Sequence, residues 1–118
     1  MKPYQEQLLK LAGFKESKVF RGNTPHKDNR TWDLPDGDWL FMWEIEELLN
    51  SLDWLEEYIM PAVRGKYGIN EVSFYYEETG IAWCDLIKHK DDWANSLVYQ
   101  SGNTLATALN NALEELVK

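Results

Sequence analysis

The chain has 118 residues, of which 44% are hydrophobic and 14% aromatic, and it carries a net charge of −8. This composition predicts one folded domain over residues 1–118, and the acidic charge argues against direct binding to nucleic acid or to an acidic membrane surface. The lone cysteine, Cys84, excludes an internal disulfide. Together with a polar N-terminus and the lack of a long apolar run, it predicts a soluble cytoplasmic protein.

Residues 1–35 are expected to form a helix and a long loop. Pro3 suits the first turn of a helix and Gly13 suits the position just after its end, so a helix is predicted at about 3–12. Residues 14–20 favour a short edge strand. The Gly, Asn, Thr, Pro and Asp residues of 21–37 then predict a loop.

The strongest periodic signal lies in the middle of the chain. Apolar residues recur there at alternating spacings of four and three, at Phe41, Ile45, Leu48, Leu52, Leu55, Ile59 and Ala62. This spacing predicts a helix with one buried stripe, and Asp38 is its expected N-cap. The pattern fits one helix that ends near residue 65, or two collinear helices that meet at Asn50. Pro61 is expected to kink or end the regular part.

The second half of the chain predicts strands followed by a helix. Three segments have strand character, the first two as a hairpin: 71–76, 81–87 and 96–100. A charged loop is expected at 89–95. An amphipathic helix begins near Leu105, and its apolar stripe lies opposite Asn110.

Apolar residues occupy both sides of the second hairpin arm. Ile81, Trp83 and Ile87 alternate with Ala82, Cys84 and Leu86, so both faces of the sheet are expected to be covered. The predicted fold class is therefore α/β (α+β), with a small, antiparallel-containing sheet of about three to four strands between helices in α-β-α layers.

Several local patterns resemble one known family. Asp38-Trp39-Leu40 opens a helix that runs through Glu46-Glu47-Leu48, Cys84 lies on the second hairpin strand, and Ser101-Gly102-Asn103-Thr104-Leu105 leads into an Ala-rich helix. These features resemble the phage α-β-α sandwich domain family over residues 36–118. The resemblance implies a phage or prophage origin and a helix–sheet–helix fold, and it implies no activity.

No pattern in the sequence supports a catalytic, metal or cofactor site. Cysteine and histidine spacings suited to zinc are missing, and the calcium-like Asp33, Asp36 and Asp38 fail because the aligned loop would place Trp32 and Leu34 at ligand positions. The glycines stand singly, so no phosphate loop can be drawn. We therefore expect no cofactor, and an enzyme would need Asp85 or a glutamate to converge with a histidine.

Acidic residues and tryptophans are concentrated in and around the predicted central helix. Between Arg30 and Arg64 there is no Lys, Arg or His, and nine carboxylates stand there: Asp33, Asp36, Asp38, Glu44, Glu46, Glu47, Asp53, Glu56 and Glu57. At about 100° per residue, three tryptophans lie on the side opposite the apolar stripe, together with three of these acids. The resulting candidate site is Trp39, Trp43, Trp54, Glu46, Glu47 and Glu57, with Trp32 and Trp93 as extensions.

Two interpretations of this tryptophan face stay open. The N-terminal helix or the 21–37 loop could cover it, or it could dock onto a basic protein partner or a second copy of the chain. The second interpretation predicts a non-enzymatic, phage-type accessory protein. The alternatives are a DNA mimic that inhibits a host nucleic-acid-binding protein, and a homo-oligomeric structural domain.

Overall fold

A computed structural model describes residues 1–19, 30–91 and 93–118 of the chain. Within these residues the strands form two antiparallel sheets, each of three strands. The helices are α1 (Pro3–Leu11), α2 (Met42–Leu48), α3 (Leu52–Trp54), a π-helical segment (Leu55–Ile59), α4 (Met60–Tyr67) and α5 (Leu105–Leu116). The strands are β1 (Lys15–Glu16), β2 (Thr31–Asp33), β3 (Trp39–Phe41), β4 (Glu71–Tyr76), β5 (Ala82–Lys90) and β6 (Trp93–Gly102).

Helix α1 begins and ends where its sequence predicts. Pro3 occupies its first turn, and the backbone N–H of Lys2 donates to Gln5 Oε1 at 2.9 Å. Gly13 follows the last turn with φ of +91°, a conformation that a residue with a Cβ rarely adopts. Leu8 and Leu9 are buried against the rest of the core.

The first sheet has the order β1-β2-β3, and it corrects two predictions. Residues 31–33, predicted as loop, form the central strand, while 20–29 lie outside the described residues. Asp38 is not a helix N-cap, because its carbonyl accepts from Leu34 N–H in a turn at 2.8 Å. The backbone N–H of Asp38 also donates to Asp36 Oδ1 at 2.9 Å. The three apolar residues after this turn extend as β3, and the helix begins only at Met42.

The predicted central helix is interrupted near Asn50, as in the second of the two alternatives. Helix α2 ends at Leu48, and Ser51 Oγ caps the next helix by accepting from Trp54 N–H at 3.4 Å. Pro61 has no backbone N–H and crowds the preceding turn. Directly before Pro61 the helix widens into the π-helical segment, in which Met60 N–H donates to Leu55 O, five residues earlier.

The second sheet has the order β4-β5-β6, and its hairpin confirms the predicted strand pair. The predicted loop at 89–95 was wrong, because β5 and β6 stay paired as far as Lys90 and Trp93. Residues in this part of the hairpin are exposed on both sides. They therefore lack the alternation of apolar and polar residues from which a strand is predicted.

Helix α5 packs on one side of the second sheet. Ala82, Cys84 and Leu86 of β5 are buried there, against a helix stripe made of Ala108, Leu109, Ala112 and Leu113. The opposite side remains accessible in the described residues, so the prediction that both faces are covered was wrong. The α+β class is confirmed, but the strands are divided between two sheets and do not form one sandwiched layer.

None of the helices within the described ranges is long and apolar enough to cross a bilayer.

Candidate binding surface

Three aromatic side chains meet on the accessible side of the second sheet, which we call the open face. Trp83 of β5 pairs with Tyr75 of β4, and Tyr99 of β6 pairs with Asp85, two residues further along β5. Side chains alternate between the two sides of a strand. Since Ala82 and Cys84 face α5, their odd-numbered neighbours on β5 project to the open face.

The rings of Tyr75, Trp83 and Tyr99 form what we call the ring cluster. Trp83 and Tyr99 stack with centroids 4.6 Å apart and planes 16° apart, and Tyr75 lies 6.2 Å from each of them. Tyr75 is 45% exposed and Tyr99 is 44% exposed. Neighbouring aromatic rings on adjacent strands stabilise a sheet by up to about 1 kcal/mol per pair. This accounts for the contact between the rings but not for their exposure to water.

Carboxylates surround the ring cluster, and each is held by a neighbouring side chain. Glu77 Oε1 accepts from Trp83 Nε1 at 2.6 Å, and Asp85 Oδ1 accepts from the hydroxyl of Ser96. At the other end of the face, Glu71 Oε2 lies 3.0 Å from His89 Nε2. The open face therefore presents fixed negative charge beside apolar rings.

Lysine side chains nearby belong to the other side of the sheet. Lys88 and Lys90 alternate with His89 on β5, and the Lys88 side chain approaches Gly68 at the end of α4. Among the described residues that alternate onto the open face there is no Lys or Arg. The face therefore suits a positively charged ligand better than an anionic one.

Trp54 and Trp32 do not lie where the sequence placed them. Trp54 is only 8% exposed, because Phe14 packs on it edge-to-face at 5.7 Å and Tyr58 stacks on it at 5.2 Å. Trp32 is fully buried on the central strand of the first sheet. Trp54 is thus covered by the chain's own N-terminal part, as in the first of the two interpretations. Trp32 is enclosed by the first sheet and does not extend an exposed surface.

Trp39 and Trp43 come together, but not on one helix. Trp39 lies on β3 and Trp43 in the first turn of α2, with Phe41 between them. The centroids of Trp39 and Phe41 are 5.1 Å apart, and those of Phe41 and Trp43 are 6.0 Å apart. Glu47 is exposed one turn beyond Trp43. This second group of rings lies within the segment that has nine acids and no base.

The remaining predicted site residues are dispersed. Glu46 Oε1 pairs with the amino group of Met1 at 3.2 Å, and Glu57 is exposed on the π-helical segment. Trp93 is 79% exposed at the start of β6, opposite Lys90. At about 3.3 Å per residue, it stands roughly 20 Å along β6 from Tyr99, the nearest member of the ring cluster on that strand. The predicted single face of six residues is therefore not formed.

Sequence reasoning missed Tyr75 and Tyr99, although a signal was present. On β4 the polar Ser73 and the amphipathic Tyr75 alternate with Val72 and Phe74. Tyrosine is common where one end of a side chain contacts water. On β5 this alternation is obscured, because Trp83 and Ile87 on the open face are as apolar as Ala82, Cys84 and Leu86 on the side that faces α5.

Cys84 is buried, and His89 pairs with Glu71 at the end of the open face. Within the residues that the structure describes, no group of three His, Cys, Asp or Glu side chains could hold a metal ion. His26 lies outside those residues. Burial, with smaller contributions from Asp85 and Glu56, raises the pKa of the Cys84 thiol to about 12. The thiol thus stays protonated in the folded chain.

Alkylation of Cys84 by iodoacetamide at pH 8 is expected to be far slower in the folded protein than in urea, because the thiolate is the reactive species. The unfolded thiol ionises near pH 8.5. Folded-state stability should therefore fall as the pH rises from about 9 towards 12, where only the unfolded chain releases this proton. Mass spectrometry of quenched samples measures the rate, and equal rates in both states would contradict the burial.

Comparisons with protein-family models, with curated proteins and with solved structures find no match for this chain. The resemblance to the phage α-β-α sandwich domain family accordingly stays a prediction.

Proposed function

We propose that the protein is a non-enzymatic binding domain that captures a positively charged segment of a partner protein on the open face. The observation that carries this proposal is the ring cluster, in which three aromatic side chains lie together at the surface with carboxylates on either side. A phage or prophage origin, acting in the host cytoplasm, is part of the same proposal and rests on the sequence resemblance.

Arginine is the side chain that best fits the chemistry of the open face. A guanidinium group stacks on Trp or Tyr rings and donates hydrogen bonds to carboxylates. Here Trp83 provides the central ring, and Glu77 and Asp85 provide acceptors beside it. Such a contact contributes about 0.5–1 kcal/mol at an exposed site and more when water is excluded. Nucleic acid is disfavoured because its phosphates would meet the same carboxylates.

The test uses two fluorescein-labelled peptides, one of alternating arginine and leucine and one with glutamate in place of arginine, and reads binding by fluorescence anisotropy. The arginine peptide is expected to bind, with an affinity that falls as salt is added. Tyr75→Ser should weaken binding about fivefold, the equivalent of roughly 1 kcal/mol, because it removes one exposed ring from the cluster.

Tyr76→Ser is the matched control. Tyr76 is the next residue of β4, is also exposed, and pairs with Ala82, whose side chain faces α5. It therefore projects to the opposite side of the sheet. Equal losses in the two variants, or equal binding of the two peptides, would contradict a site on the open face.

The rings at Trp39, Phe41 and Trp43 are a second candidate surface for the same kind of partner. The base-free acidic segment supports this alternative, since Glu47 follows Trp43 by one helical turn. Trp39→Ser in the same peptide assay separates the two surfaces. A loss confined to Trp39→Ser would place the site here and not at the ring cluster.

A further inference from the structure

Strand β6 forms one edge of the second sheet. Its ten residues pair with β5 on one side, and no strand in the described part of the chain pairs with the other side. The Ser101 carbonyl already accepts from Asn111 Nδ2 at 2.8 Å. The other outward backbone N–H and C=O groups of β6 can pair with another strand. Most of the strand is also exposed, including Trp93, Leu97 and Tyr99.

The sequence of β6 lacks the charges and proline that commonly protect a sheet edge, and its only interruption is a β-bulge at Leu97. Proteins generally keep edge strands short or place charges or proline on them. β6 reads WANSLVYQSG, with no charged residue and no proline. The opposite edge, β4, has only six residues, begins with Glu71 and is followed by Glu77. The contrast singles out β6 as an edge that can accept a partner strand.

We infer that the outer edge of β6 pairs antiparallel with β6 of a second copy of this chain. An edge strand is complementary to its own copy under a twofold axis, because the outward N–H groups of each strand then lie opposite outward C=O groups of the other. The acidic net charge of the chain makes the uncharged β6 edge a more favourable place for two copies to meet than the rest of the surface. Two chains that each carry −8 repel one another, and β6 allows them to meet without placing like charges opposite each other.

The pairing would double the binding surface proposed above. A twofold axis perpendicular to the sheet keeps both open faces on the same side, so the two ring clusters would lie on one continuous sheet of six strands. A partner with two cationic segments would then bind more tightly than to one copy alone. This consequence rests on the proposed function, whereas the pairing itself does not.

Sedimentation equilibrium of the full chain over a concentration series tests the pairing. The expected result is a mass that rises from 13.8 kDa towards twice that value. Leu97→Lys should raise the dimer dissociation constant by about tenfold or more, because Leu97 lies in the middle of β6 and the substitution adds a positive charge to each of the two paired strands. Leu97 suits this test because the pairing passes from Ser96 to Val98, which leaves it without a partner on β5.

Ile81→Lys is the control, since Ile81 is 39% exposed, Leu97 is 37% exposed, and Ile81 lies in the turn before β5. It should leave the dissociation constant unchanged. Hydrogen exchange then locates the contact, because amide protection in β6 should increase with protein concentration.

Three results would overturn the inference: a monomer at all concentrations, equal effects of Leu97→Lys and Ile81→Lys, or a dimer that Tyr75→Ser abolishes while Leu97→Lys leaves it intact. The last result would mean that open faces pack together. Loss of peptide binding in Tyr75→Ser with an unchanged dimer would separate the proposed function from the pairing.

Discussion

Replacing Asn110 with alanine is expected to lower the free energy of unfolding by about 2–3 kcal/mol, because it removes a buried amide that joins three helices. Asn110 Nδ2 donates to Leu49 O at 2.8 Å and to Ala106 O at 2.9 Å. Its Oδ1 accepts from the Tyr4 hydroxyl at 3.3 Å. Alanine would leave the Leu49 carbonyl, at the end of α2, without this donor in the protein interior.

Asn111→Ala is the appropriate control for this prediction. Asn111 also donates to a backbone carbonyl, that of Ser101 at 2.8 Å, but it is exposed, so water can replace the bond. Its loss should cost less than about 1 kcal/mol. Urea unfolding followed by circular dichroism measures both variants. Similar losses would show that Asn110 contributes little beyond an ordinary surface hydrogen bond.

The same residue shows why part of the fold could not be predicted. The helical pattern of α5 placed Asn110 on the solvent side, because an amide is polar and adjoins Asn111. Its acceptor is 61 residues away in sequence, on a helix end whose position depends on the packing of the whole chain. Periodicity reports which residues are apolar, but not which polar residue finds a buried partner.

Elements with local signals were predicted well. Helix α1 has Pro3 at its start and Gly13 after its end, and α5 has Thr104, whose hydroxyl accepts from Thr107 N–H at 3.1 Å. The β4–β5 turn contains Gly80 with φ of +88°. In each case the residues that fix the boundary lie within a few positions of it, so the sequence carries the information directly.

The start of the central helix was wrong because two patterns overlap there. Trp39, Leu40 and Phe41 fit the helical stripe that continues at Ile45, yet aromatic residues also favour strands. The turn at 34–38 decides between the two, since it brings Trp32 opposite Leu40 in the first sheet. Pairing within the hairpin of β2 and β3 therefore overrides local helix propensity.

The ring cluster was not predicted from the sequence. Exposed aromatic rings beside carboxylates were expected on the central helix, whereas the ring cluster lies on the second sheet. Trp54 of the predicted site is covered by Phe14, 40 positions earlier in the sequence, and no described element covers Trp83. Which aromatic residues stay exposed depends on how helices and sheets pack together, and single-sequence patterns do not report that.

Gly102→Ala is expected to destabilise the fold by about 3 kcal/mol, because the end of β6 passes too close to α5 for any side chain. A Cβ at Gly102 would lie 2.6 Å from the backbone nitrogen of Ala108 and 2.9 Å from the carbonyl carbon of Thr107. Both are helix backbone atoms, and Ala108 N–H is engaged with Thr104 O at 2.9 Å. Relief of the contact would require α5 to move away from the sheet that it covers.

The same substitution at Gly65 is expected to change the free energy of unfolding in the opposite direction. Gly65 is exposed within α4, and no atom beyond the neighbouring backbone of its own helix lies within 4 Å of the position that its Cβ would occupy. Alanine should raise the free energy of unfolding there by about 0.5–1 kcal/mol, because it restricts the unfolded chain and favours the helix. Urea unfolding of the two variants therefore gives changes of opposite sign if α5 packs directly on β6. If Gly102→Ala left the free energy of unfolding unchanged, α5 and β6 would be further apart than described. The assignment of the open face and of the free β6 edge, which both depend on α5 covering the other side of the sheet, would then be wrong.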